Sequence, residues 1–274
     1  MDSALSIEDF SLIEKTKTKA NYFDVFDFPR LDGKIYISNQ IDLGASEVLH
    51  YHDEPHLTML VNGGVLDKRK SLEKDRLSGE LMFFHSGEPH QTINKVFPTK
   101  YISLTFEPDF FQRNSITEAK LRIALEKNLN SNFTILKIYK ELAINDEFTN
   151  CSSEMLLFNL IDEKYEVKTK RPNWINKVHQ LLNDNWNKEL ALNDLAFAAN
   201  VHPKTISRYF PKYFACSLGE YRRQLKVAKS LSLIKSSKFS LTEIAHECNF
   251  ADQSHFIRDF KRMTGFLPKQ FKKL

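Results

Sequence analysis

The stretch HYHDEPH places His50, His52 and His56 within seven residues, and His90 follows in EPHQTIN, so four of the chain's nine histidines come from two short segments. Alternate residues of a strand share a face, so His50 and His52 would point together and Tyr51 would turn away. Asp53 and Glu54 then fall on the rim or outside it. Three or four imidazoles converging from neighbouring strands can hold zinc or another borderline transition metal. They can equally line a pocket and hydrogen-bond an organic ligand, and residue types alone leave both readings open.

A second group with chemical potential lies near the end of the chain, in ADQSHFIRDFKR at 251–262. On a helix, Phe256 and Phe260 are four apart and share one face, which can be buried, while Gln253, Ser254, His255, Arg258 and Lys261 project elsewhere. An earlier stretch, HPKTISRYF, has the same plan. There Ile206 and Phe210 face inward and leave Lys204, Thr205, Ser207 and Arg208 outward. In a DNA groove, Gln can bond adenine N6 and N7, Arg can bond guanine O6 and N7, and Ser or Lys more often meets phosphate.

The elements that must position these groups follow from charge and periodicity. Residues 171–274 hold 18 Lys and Arg against 8 Asp and Glu, whereas residues 1–170 hold 21 against 27. The C-terminal part is therefore +10 and the remainder −6, and a basic domain of that size is the footprint expected for a polyanion partner. With 274 residues the chain is long enough for two domains. EKYEVKTKRPNW, a charged run with Pro172 and no apolar periodicity, marks a linker at 164–172.

Before the linker, KIYIS, LTMLV, ELMFF and KYISLTF read as short strands separated by turn signals such as NGG at 62–64. From about 115 the pattern becomes helical. Ser115 and Glu118 form an expected capping box, and further helices are expected at 134–146 and 153–165. Cys151, Cys216 and Cys248 are odd in number and fit no CxxC pattern, which argues against a disulfide framework and leaves them as small apolar fillers. No apolar run is long enough to span a bilayer and MDSALSIEDF does not resemble a signal peptide, so the expected location is the cytoplasm, with no membrane partner.

After the linker the chain repeats. DLAFAANVHPKTISRYF at 194–210 aligns with EIAHECNFADQSHFIRDF at 243–260, Leu195-Ala196 on Ile244-Ala245 and Arg208-x-Phe210 on Arg258-x-Phe260. Each unit reads as a short helix, a turn at NVHP or NFAD, and a second helix, the layout of a helix-turn-helix. Ser240 and Glu243 form a capping box, Asp252 is a good N-cap, and Pro203 suits the first position of a helix. GEYRRQLKVAKSLSLI, with Tyr221, Leu225, Ala228 and Leu231 on one stripe, is expected to be a single connecting helix.

Residues 172–274, and IAHECNFADQSHFIRDFKRMTGFLPKQF above all, resemble the DNA-binding domain of AraC/XylS-type transcription regulators. The first unit departs from that pattern at Ala191, Ala215 and Leu218, and Pro211 is expected to interrupt the end of its recognition helix. The histidine segments resemble the paired motifs of cupin barrels. Gly44, His50, His52, His56 and Gly63 follow the first motif with histidine for the usual glutamate; Gly79, His85, Gly87, His90 and Asn94 follow the second with histidine for proline.

The resemblances imply an α+β multidomain protein. Residues 1–163 would be a cupin-like β-barrel sensor with a helical appendage at about 115–163, and 173–274 an all-α double helix-turn-helix. Lys204, Thr205, Ser207, Arg208, Gln253, Ser254, His255, Arg258 and Lys261 would meet double-stranded DNA. His50, His52, His56 and His90 would bind a small effector, or a divalent metal as the alternative ligand. RNA polymerase and a second copy of the chain are further implied partners, and activation is the commoner behaviour of the family. No catalytic residues are expected. A metal-dependent cupin dioxygenase or isomerase fused to a DNA-binding domain is the rival reading, and a structural DNA-binding protein whose barrel only dimerises is a third.

Overall fold

The computed structural model describes the backbone of residues 22–28 and 33–40, together with residues 48–70, 72–161, 171–236 and 238–274. The expected linker lies outside the described residues except for Arg171 and Pro172. The chain divides into two compact units. One contains the sheet, the chain as far as Arg122, and Glu141–Met155; the other contains Ile123–Lys140 and the C-terminal helices. Among the described residues no helix is long and apolar enough to cross a membrane.

The sheet is built from β1 (Tyr22–Phe28), β2 (Gly33–Gln40), β3 (His56–Arg69), β4 (Leu72–Leu77), β5 (Leu81–Phe84) and β6 (His90–Phe106). All pairings are antiparallel, in the order β1-β2-β6-β3-β4, with β5 also on β3. Among the described strands this path is open, not closed into a barrel. NGG is not a turn. β3 runs through it for 14 residues, and its ladder with β6 shifts register between Leu60 and Val65. Gly63 takes φ +94°, where a Cβ would lie 2.5 Å from the Val96 carbonyl oxygen, so the backbones approach too closely for any side chain. Asn62 Nδ2 donates to the Pro98 carbonyl at 2.6 Å across this bulge. The first half of β3 can thus pair with β5 and its second half with β4, and Leu60, Val65, Met82, Phe84 and Tyr101 form a core against it.

After α1 (Pro108–Arg113), the expected Ser115 capping box does not form. Ser115 has φ 52°, outside the extended geometry of an N-cap; Thr117 Oγ1 instead accepts from Lys120 N at 3.2 Å. That leaves Glu118 at the head of α2 (Glu118–Lys127) to accept from His85 Nδ1 at 2.8 Å and Ser86 N at 3.1 Å. α3 (Asn130–Ile144) and α4 (Thr149–Ile161) both begin four residues before their expected starts. Asn128 accepts from Asn130 N and Asp146 from Phe148 N, and these local turns open each helix early.

The C-terminal helices follow the repeat. α5 (Asn173–Asp184) buries Ile175, Val178 and Leu182, and α6 (Leu192–Ala198) and α7 (Pro203–Phe214) form the first unit. α8 (Leu218–Ser236) leads to α9 (Leu241–Glu247), α10 (Gln253–Thr264) and α11 (Pro268–Lys273). α8 is one unbroken helix, as expected, although Val227 rather than Ala228 is its fully buried residue at that level. Pro211 does not end α7; the helix continues to Phe214, and the carbonyl that loses its partner belongs to exposed Ser207, where water can replace the missing N–H. Cys248 is buried as expected of a filler, whereas Cys151 is exposed.

α7 and α10 end differently. α10 stops at Gly265 with φ 82°, and α7 stops at Ala215 with φ 53°, a left-handed conformation that costs a residue with a Cβ about 1–2 kcal/mol. Ala215→Gly should therefore stabilise the protein by about 1 kcal/mol. The check is a higher urea midpoint at unchanged slope; an unchanged midpoint would show that Ala215 is not strained.

Candidate DNA-binding face and histidine cluster

Each recognition helix is pinned by its apolar side. Ile206 and Phe210 of α7, and Phe256 and Phe260 of α10, have no exposed surface. Phe210 stacks on Phe214 with ring centres 4.4 Å apart, and Phe260 meets Phe271 at 5.8 Å. The ends are fixed by side chains. His202 accepts from Lys204 N at 3.2 Å ahead of Pro203, Ser240 and Glu243 complete their capping box, and Asp252 Oδ1 accepts from His255 N at 2.8 Å. In the second turn, Lys226 Nζ donates to the Asn249 carbonyl and lies 5.5 Å from the Phe250 ring, which holds the loop down on α8.

Opposite these anchors, Lys204, Ser207 and Arg208 are exposed on α7 and Thr205 is half-buried. On α10, Ser254, Arg258 and Lys261 are exposed, while Gln253 and His255 are half-buried. His255 is turned aside: its Nε2 lies 3.2 Å from Asp259 Oδ2, and its ring meets Phe250 edge-on. Asp259 is buried and also faces Arg262, whose guanidinium donates to Glu220 at 3.2 Å. That network, with Arg223 on the same carboxylate, holds Glu220 below the usual carboxylate range through its two arginine partners, against the opposing effect of burial.

Thr242 is a site residue that sequence reasoning missed. Its hydroxyl donates to Gln253 Oε1 at 2.6 Å, which fixes the orientation of the amide and leaves its NH2 and the second lone pair of its oxygen for other partners. The available signal was positional, since the first turn of α9 and the first turn of α10 both follow caps in the same motif.

In the other unit, the structure brings all four expected histidines together. His50 and His90 are direct cross-strand neighbours, each N–H donating to the other's carbonyl at 3.0 and 2.9 Å. Ring centres lie 4.4 Å apart for His50–His90, 4.8 Å for His50–His52, 4.6 Å for His52–His56 and 5.6 Å for His56–His90. His56 stacks on Phe84 at 4.7 Å. His50, His56 and His90 are buried and His52 is half-buried. His50 Nδ1 meets the Val48 carbonyl at 2.7 Å, His90 Nδ1 meets the Glu88 carbonyl at 2.9 Å, and His50 Nε2 lies 3.1 Å from His52 Nε2. Burial, reinforced by neighbouring imidazoles, pushes His52 down to about 4 and His90 to about 3, with His56 also well below its ordinary value. All three are neutral at neutral pH. His85, the extra histidine of the second segment, stands outside the cluster on Glu118.

With this geometry in view, comparison with known proteins is direct. Residues 195–274 match the family model described as "Helix-turn-helix domain". The HTH-type transcriptional regulator GbdR of Pseudomonas aeruginosa is 26% identical over 132 residues, 45% of this chain and 36% of GbdR, so the match spans about a third of that relative's length. The uncharacterized HTH-type transcriptional regulator YpdC of Escherichia coli is 22% identical over 265 residues, 89% of this chain and 90% of YpdC. ToxT of Vibrio cholerae, a solved structure, covers 88% of this chain and 97% of its own at 14% identity, with a TM-score of 0.38. Both of these relatives are described as HTH-type transcriptional regulators.

The cap at Asp252 is the most direct local determinant of where α10 begins. Asp252→Ala should cost about 1 kcal/mol, the typical value for losing an N-cap, without changing the helical content of the folded protein. Thermal melts followed by circular dichroism would show it, and a melting point equal to the parent's would mean that tertiary packing alone sets that end.

Proposed function

We propose that this chain is a sequence-specific DNA-binding transcription regulator, an activator, that responds to a small effector bound at the histidine cluster of a cupin-like N-terminal domain. The division is 1–163 for the sensor, 164–172 for the linker and 173–274 for the double helix-turn-helix. The observation that carries the reading is the pair of pinned helices, each with an exposed basic and hydroxyl-bearing edge, in a region of net charge +10. Buried phenylalanines fix each helix, so Lys204, Ser207 and Arg208 on one, and Ser254, Arg258 and Lys261 on the other, can approach a duplex without reordering the core. RNA polymerase and a second protomer are the protein partners of this reading.

Two such helices would read successive major-groove segments about one DNA turn, ~34 Å, apart on one face. The half-sites differ because the exposed residues differ, so the site per protomer is asymmetric. At Gln253 the bond from Thr242 orients the amide, and its NH2 with the remaining oxygen lone pair can make the paired contact to adenine N7 and N6. Gln253→Ala should relax preference at one or two base pairs at a cost of ~1–3 kcal/mol, and Thr242→Val should alter the same positions while Thr242→Ser preserves them. Lys261→Ala should weaken all sequences alike and reduce the salt dependence. Selection of bound sequences from random DNA reads all of these; variants that recover the parent's sites unchanged would remove α10 from base recognition.

The domain division has its own test. A core cluster whose buried members all lie between Ile175 and Leu225 supports α5 to α8, and among the described residues only Leu129 packs on it from outside the C-terminal region. A fragment of residues 170–274 should therefore fold and bind the selected DNA by itself. A flat melting curve for that fragment would reject the boundary.

A further inference from the structure

We infer that His255 binds a DNA phosphate as an imidazolium held in place by Asp259, so that binding DNA takes up a proton, an inference that rests on reading α10 as a helix that meets the duplex. Asp259 is buried, its Oδ2 forms no hydrogen bond among the described residues, and His255 Nε2 stands 3.2 Å from that oxygen. A buried carboxylate oxygen without a donor is costly, so the protons of its neighbour matter. Only 9% of the Asp259 side chain is exposed against 35% for His255, so a ligand from outside can reach the ring but not the carboxylate.

The groups on either side of the ring set its protonation. An ionised carboxylate only accepts hydrogen bonds, and so does a DNA phosphate. A neutral imidazole has one N–H and can serve one of them, whereas an imidazolium has two and serves both. With Nε2 turned to Asp259, Nδ1 is the nitrogen left over, and nothing bonds it among the described residues. His255 and exposed Arg258 are neighbours three apart on the helix, and Arg is a residue type that meets phosphate oxygens.

The charges around the ring are of both signs. On α10 they are Asp259 and the N-cap Asp252, whose Oδ1 accepts from His255 N, against Arg258 and Arg262, whose Nε is 3.6 Å from Asp259 Oδ1. The preceding turn packs uncharged Phe250 on the ring; α8 places Lys226 against Phe250, bonded to the Asn249 carbonyl, and Glu220 on Arg262. A phosphate at Nδ1 adds a negative charge on the open side and offsets that of Arg258, so the duplex favours the charged ring. The proton comes from solvent, and the only covalent bond formed is N–H.

The test uses the full-length protein and a labelled duplex recovered by selection from random DNA, with affinity measured between about pH 6 and pH 8.5 at fixed salt. The parent should bind more tightly as the pH falls. His255→Gln should lose about one proton of that dependence, up to about tenfold in Kd per pH unit, with the same base preference. Asp259→Asn, which keeps the shape and an acceptor but not the charge, should flatten the pH profile as well, whereas His246→Gln at an exposed histidine of α9 should keep it. Calorimetry in buffers of different ionisation enthalpy should show the parent taking up about one proton more than His255→Gln. Should Asp259→Asn lose helical content by circular dichroism, His255→Gln and His255→Asn at the half-buried position carry the test. The parent's profile retained in His255→Gln, or equal loss in His246→Gln, would overturn the inference alone, and the parent's profile in folded Asp259→Asn would overturn the role of Asp259. A parent protein that binds no duplex at any pH would overturn the reading of α10 and this inference with it.

Discussion

The C-terminal region depends on one helix that both halves of the repeat must share. α8 is 19 residues long, roughly 28 Å at 1.5 Å per residue, and packs against α7 near its start and against α9, α10 and α11 further along. Its first turns put Tyr221 and Leu225 into the core beneath α7, and Leu231 and Ile234 are buried farther on. A helix is stiff on this length, so the separation and rotation of the two recognition helices are set by the number of residues between their cores. Inserting one residue into α8 would rotate the second unit by about 100° relative to the first, because 3.6 residues make a turn. The axis contains no proline between Leu218 and Ser236, and Glu220, near its start, is tied to Arg262 of α10.

The two units hang on this axis with unequal local support. The second has a complete capping box at Ser240, an Asp N-cap at 252 and a glycine at the left-handed C-terminus of α10. The first has Ala191 with no side-chain cap, a histidine cap at 202 and Ala215 in the left-handed position. It makes up the difference by packing: α5 adds Ile175, Val178 and Leu182 to its core, and Trp174 and Trp186 cover the edges. Tertiary burial can replace caps because a buried Leu or Ile side chain stabilises by about 1.5–3 kcal/mol, more than a typical cap.

This inequality also governs what could be read from the chain. The helix-turn-helix repeat was legible because its signals are local: caps, apolar pairs four apart and turn residues recur at matching positions. The sheet was legible as strands but not as a path. In NGG the same residues serve a hairpin turn or a bulge, and only the long-range pairing of β3 with β6 decides. Ser115 and Glu118 had the spacing of a capping box, yet Glu118 was claimed by His85, a residue 33 positions away. His255 looked free on a helical wheel, but a buried carboxylate one turn on at Asp259 turns it aside. The Thr242 bond to Gln253 joins side chains of two different helices, and helical periodicity contains no record of it. The histidines were foreseen as a group because strand alternation and motif spacing are local; their tautomers were not, since these follow from the carbonyls of Val48 and Glu88.

Burying uncharged imidazoles against one another is costly unless their polar atoms are satisfied. Here the Nδ1 atoms of His50 and His90 are satisfied by the Val48 and Glu88 carbonyls and the Nε2 of His50 meets that of His52, a requirement that hydrophobic residues of similar volume would not impose. The same region joins its two histidine segments by the two hydrogen bonds of the His50–His90 bridge, by Gly87 N donating to the His52 carbonyl at 2.8 Å, and by the pairing of His56 with Phe84. A ligand that binds only the folded form adds about 2.7 kcal/mol at a concentration of 100 times its Kd. That is comparable to the net worth of several hydrogen bonds, so under the proposed reading an effector at these histidines would change how often the segment around His50 opens.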